Sequence, residues 1–111
     1  MKLQEIIEKL NLQALTKLEA KDVQGVFISD LLSDVMTAAR AGDLWLTVQT
    51  HHNIIAVANL VNIAAIVVTH GKKVPEETIS LGNRYHVIIL STPGSIFDTA
   101  AKLNAIGLKS K

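Results

Sequence analysis

From residue 24 onward the chain alternates extended apolar runs with amphipathic ones, four times over. The extended runs are "DVQGVFISD" (22–30), "LWLTV" (44–48), "AAIVVT" (64–69) and "HVIILS" (86–91). Strand–helix alternation of this kind specifies a mostly parallel sheet with helices packed on both faces. "AAIVVT" and "HVIILS" are continuously apolar, as strands buried on both faces must be. The predicted class is therefore α/β, a three-layer α/β/α sandwich in one domain, residues 1–111.

The helical runs carry their own punctuation. Asp30 is placed to cap "LLSDVMTAAR". There Leu31, Leu32, Val35, Met36 and Ala39 share a face, and Gly42 supplies the stop. "NIIAVANLVN" (53–62) has a narrow outward stripe, Ile55, Asn59 and Asn62, so it is deeply packed or lies at an interface. Pro75, Glu76 and Glu77 suit the start of "PEETISLG". Ser95 and Asp98 form a capping-box-like pair before "SIFDTAAKLNAI", which Gly107 ends. Ahead of the alternation, Leu3, Ile6, Ile7 and Leu10 mark a short amphipathic helix, and "LQALT" reads as extended.

Composition removes several function classes. Eleven basic residues balance ten acidic ones with no basic block, so no nucleic-acid surface is expected. There is no cysteine, hence no disulfide, zinc knuckle or thiol chemistry. The longest apolar stretch, 54–68, is shorter than the ~20 residues of a membrane span and is interrupted by Asn59 and Asn62. "MKLQEIIEKL" carries acids where a signal peptide is apolar, so a cytoplasmic protein is expected.

In parallel sheets ligands bind beyond the carboxyl ends of the strands. Polar residues collect at those ends: Asp30 after the first, Gln49, Thr50 and His51 after the second, Thr69, His70 and Gly71 after the third, and Ser91 and Thr92 after the fourth. They form either a shared binding crevice or simply the caps and turns that any such edge needs. His51 and His52 are adjacent, and a helical metal pair needs i and i+4, a place taken by Ile55. His70 is near enough in the fold to join them. With no cysteine and only Asp30 as a neighbouring acid, no metal site is expected. His86 begins its strand and belongs at the opposite end. "HGKKVPEE" lacks the Gly-x-x-x-x-Gly-Lys-Ser/Thr frame of a phosphate loop, and no dinucleotide or nucleophile-elbow pattern is present, so neither a catalytic residue nor a cofactor is assigned.

"GDLWLTVQTHHNIIAVANLVNIAAIVVTHGKKVPEETI" (42–79) and "HVIILST" (86–92) resemble the DRTGG domain, and "VFISDLLSDVM" fits that family's earlier strand and helix. The resemblance covers nearly the whole chain. The family's Asp-Arg falls on Thr50 and His51, and its Thr-Gly-Gly on Thr69, His70 and Gly71. The resemblance implies a fold like the N-terminal domain of HPr kinase/phosphorylase. It also implies a regulatory or dimerisation role, since such domains accompany CBS pairs in pyrophosphatases and also occur in phosphotransacetylase-type enzymes. The expected function is a non-catalytic homodimeric module docking on a partner enzyme or signalling protein. The alternative is a sensor of a small anion or nucleotide.

Overall fold

The computed structural model describes residues 1–110. Its elements run α1 (Leu3–Leu10), β1 (Gln13–Ala14), β2 (Gly25–Ile28), α2 (Leu32–Ala38), β3 (Asp43–Thr47), α3 (Asn53–Val61), β4 (Ala65–Val68), α4 (Glu76–Tyr85), β5 (Ile89–Ser91) and α5 (Ile96–Ala105). The four predicted strand–helix units are all present. The sheet order is β1-β5-β4-β3-β2. β2 to β5 are parallel, and β1 pairs antiparallel with β5 through Gln13↔Ser91 and Ala14↔Leu90.

The four parallel strands follow one another in space as they do in sequence. Right-handed crossovers taken always in the same direction put every connecting helix on the same face. Accordingly α2, α3 and α4 share a core with the side chains of Trp45, Ile66, Val68 and Ile89. The helices outside the crossovers, α1 and α5, cover the other face against Val26, Leu44, Leu46, Ala65, Val67 and Leu90. Successive strand residues point to opposite faces, so β3 gives Leu44 and Leu46 to one layer and Trp45 to the other. Trp45 is fully buried, and its indole Nε1–H donates to the Ser29 carbonyl at 2.8 Å. The start of β3 is fixed by buried Asp43, whose Oδ2 accepts from the Arg40 N–H at 2.9 Å.

Three helices differ from expectation. At α2, Met36 and the preceding Leu31 are exposed and only Val35 is fully buried, with Leu32 and the following Ala39 packed against the core. The helix is shorter than the apolar run, so Leu31 and Ala39 fall on its extended flanks and the five residues do not share one helical face. In α3, Ile55 is buried, and the outward residues are Asn53, Ala56, Asn59 and Leu60. α4 runs through Gly82 to Tyr85 and is ended by His86 in the left-handed conformation, φ 59°. Gly82 acts in packing: a Cβ there would lie 2.9 Å from the Val87 carbonyl oxygen. The Ser95 cap holds as expected, with its Oγ accepting from the Asp98 N–H at 3.0 Å. No helix of the described residues is long and apolar enough to cross a membrane.

Candidate functional site

The carboxyl ends of β2 to β5 lie along one edge and carry the predicted polar residues. Three of those side chains, Asp30, Gln49 and Thr69, join the strand ends to each other. Asp30 does not cap α2. Its Oδ1 accepts from the Thr47 hydroxyl at 2.7 Å and from the Val48 N–H at 2.9 Å, while Gln49 Nε2 donates to the Asp30 carbonyl at 3.0 Å. The N–H of Leu31 goes instead to Ser29 Oγ, at 3.0 Å. Asp30 thus ties the end of β2 to the end of β3.

Thr69 continues the seam to β4. It is fully buried, and both its N–H and its hydroxyl donate to the Thr47 carbonyl, at 3.0 and 3.3 Å. The Thr50 carbonyl accepts from the Thr78 hydroxyl at 2.8 Å, which docks the start of α4 on the turn after β3. Beyond β4, the N–H groups of His70 and Gly71 donate to the carbonyls of Gly94 and Thr92, at 2.8 and 3.0 Å. Thr92 Oγ1 accepts from the Gly94 N–H at 3.2 Å.

The histidines cap helices. His51 Nδ1 accepts from the Asn53 N–H at 3.2 Å, at the mouth of α3. His70 Nε2 accepts from the Ile96 N–H at 3.0 Å, at the mouth of α5. In both cases the ring nitrogen serves as the side-chain oxygen of a usual N-cap does. The imidazole of His52 stacks on that of His51 with centroids 4.1 Å apart, and its Nε2 lies 3.9 Å from Glu77 Oε1. His86 sits at the opposite end of the sheet, 2.9 Å from Glu19 Oε2. Among the described residues, no three histidine or acidic side chains converge as metal ligands.

His70 and Gly71 both have positive φ, 62° and 63°. For a residue with a Cβ that conformation costs about 1–2 kcal/mol, whereas glycine adopts it freely. His70 therefore occupies a strained backbone position, held there by the cap it gives to α5. His70→Ala is expected to keep the strain and lose the cap, at a cost of about 1–2 kcal/mol. His70→Gly loses the cap but also the strain, and should be the more stable of the two by about 1 kcal/mol. Urea unfolding of the pair checks this; equal losses would mean that the strain is absent.

Next to this seam lies a cleft of about 450 Å³ that brings together Ser91, Thr92 and Gly71 with Lys72 and Lys73. Neither lysine was among the residues read from the sequence as candidates. The one sequence signal there is the Gly-Lys-Lys step, Gly71–Lys73, which lacks the frame of a phosphate loop. A second groove, of about 480 Å³, runs between α3 and α4 and is lined by Ile55, Ala56, Asn59, Leu60, Leu81 and Tyr85 among others.

The model of the DRTGG domain family matches residues 5–106. The chain belongs to the DRTGG domain family. No curated protein matches the sequence. Among solved structures, the CBS and DRTGG domains of the regulatory region of Clostridium perfringens pyrophosphatase, complexed with the activator diadenosine tetraphosphate, share this fold. That match has a TM-score of 0.69 at 16% identity, over 91% of this chain and 45% of that one. The chain thus spans less than half the length of that relative.

Placed on this DRTGG domain, the signature positions fall in the turns after β3 and β4. Thr50 and His51, where the resemblance puts the family's Asp-Arg, support α4 and α3 respectively. Thr69 joins β4 to β3, and Gly71 adopts the left-handed turn, φ 63°, that glycine enters freely. His70, where the resemblance puts the family's first glycine, carries a capping side chain.

Proposed function

We propose that this DRTGG domain is a non-catalytic regulatory module that pairs with a second copy through its α3–α4 face and docks on a partner protein. The observation that carries the reading is the outer surface of those helices. Leu60 is 72% exposed and Tyr85 51%, on either side of a groove floored by Ile55, Ala56 and Leu81. α3 bears no charged residue along its whole length, Asn53–Val61. A contiguous apolar surface of this kind marks a contact site. Pairing about a two-fold axis lets each copy offer the same patch, which closes the assembly at two.

Sedimentation of the wild type at micromolar concentration is expected to show a dimer. Leu60→Asp should weaken that dimer at least about a hundredfold, equivalent to roughly 3 kcal/mol, with circular dichroism unchanged because Leu60 contributes little to the core. A wild type that sediments only as monomer would oppose the reading.

The second reading, a sensor of a small anion or nucleotide at the strand ends, is favoured by the Lys72–Lys73 cleft and by the nucleotide activator held by the clostridial relative. Of the residues proposed for it, Gly71, Ser91 and Thr92 line the cleft. The side chains of Asp30, Gln49, Thr69 and His70 already have partners within the seam.

A further inference from the structure

The layer made by α2, α3 and α4 ends abruptly. The next helix, α5, crosses to the opposite face, yet β1 extends the sheet one strand beyond β5. At the corner between β1, the end of β5 and the loop that leads into α4, beside Ile79 of that helix, the cleft of about 450 Å³ opens. Its size falls in the range of about 300–1,000 Å³ typical of small-molecule pockets.

Its lining divides into two chemistries. Leu15, Val74 and Ile79 provide an apolar floor; Val74 is buried, and Leu15 and Ile79 pack against the helix-side core. Lys72 and Lys73 stand at the rim, both exposed, with no acidic residue in the lining. Neither lysine is in a salt bridge among the described residues. The Ser91 hydroxyl and the Gln13 amide also line the cleft and make no side-chain hydrogen bond among the described residues. The site thus offers two unpaired cations, neutral donors beside them, and an apolar surface below. Lysine binds phosphate as a compact point charge, and an apolar floor suits a flat ring.

We infer that this cleft binds a nucleoside phosphate, with Lys72 and Lys73 on the phosphates and the base over Leu15, Val74 and Ile79. The inference rests on the sensor reading and gives it a location on the β1 side of the seam, away from His51.

The test is titration of the isotopically labelled full chain with ADP, and separately with adenosine and with inorganic pyrophosphate, followed by amide NMR shifts. ADP is expected to give saturable shifts at Gly71–Val74, Ser91 and Thr92. Lys72→Ala/Lys73→Ala should raise the dissociation constant about tenfold or more, and Lys72→Arg/Lys73→Arg should stay within about threefold, because the charge is kept. Both lysines are exposed, so neither double variant threatens the fold. Unchanged ADP affinity in the alanine variant would overturn the site. Pyrophosphate binding as tightly as ADP would overturn the nucleoside part. Saturable ADP shifts confined to Gln49–Asn53 would reject this cleft and leave the sensor reading standing, whereas no shift anywhere at millimolar ADP would remove both.

Discussion

Gly82→Val is expected to remove about 3 kcal/mol or more of stability, a large share of the 5–15 kcal/mol typical of a domain. On helix propensity alone the opposite would follow: glycine inside a helix is about 1 kcal/mol worse than alanine. The tertiary contact outweighs that preference. α4 approaches the sheet so closely that a Cβ on Gly82 would lie 2.9 Å from the Val87 carbonyl oxygen and 3.1 Å from both Ile89 Cδ1 and Thr16 Cγ2. The first of those is backbone, and the Gly82 carbonyl itself accepts from the Val87 N–H at 2.8 Å, so the two segments cannot part without breaking that bond. Gly82→Ala is the sharper comparison. It should lose about 1–2 kcal/mol net despite the better helix former, the overpacking cost exceeding the propensity gain. Urea midpoints of both variants measure this, and a stabilised Gly82→Ala would show that α4 is free to move outward.

The second large effect is expected at Trp45. Trp45→Ala should cost about 3–5 kcal/mol, because it deletes the largest buried side chain at the centre of the helix-side core. Trp45→Phe separates the two contributions. It keeps most of the apolar volume but leaves the Ser29 carbonyl without its 2.8 Å donor, and the expected loss is about 1–2 kcal/mol beyond the change in packing. That bond also holds the end of β2 in place beside Asp30, so Trp45→Phe should increase amide exchange at Ser29 and Leu31. A phenylalanine variant as unstable as the alanine one would mean that apolar volume contributes little and that the indole's own hydrogen bond and shape carry the effect.

The fold was legible because its determinants are periodic. Four apolar runs of strand length, each followed by a capped amphipathic run, leave room for little except a parallel sheet, and the Ser95–Asp98 cap was readable from spacing alone. Where an apolar run outlasts the helix it forms, as at Leu31 before α2 and Met36 within it, sequence could not say which residues would stay outside. The packing role of Gly82 has no sequence signal, because a glycine that lets two backbones meet looks the same in sequence as any other.

The site was legible as an edge and not as contacts. That polar residues would gather at the strand ends follows from topology. Which of them stay free depends on partners distant in sequence: Asp30 with Thr47, Thr69 with Thr47, and His70 with Ile96. Histidine is not among the usual capping residues, so the roles of His51 and His70 had no sequence signal. The cleft beside Lys72 depends on β1 pairing at the far edge and on α5 changing face, neither of which the two lysines reveal.

The central claim, that this DRTGG domain is a paired regulatory module, is tested most directly by native mass spectrometry of the freshly purified protein. One spectrum counts subunits and registers any retained ligand. The account predicts a dimer mass for the wild type and a monomer mass for Leu60→Asp at the same concentration. A monomer mass for both proteins across the micromolar range would contradict it.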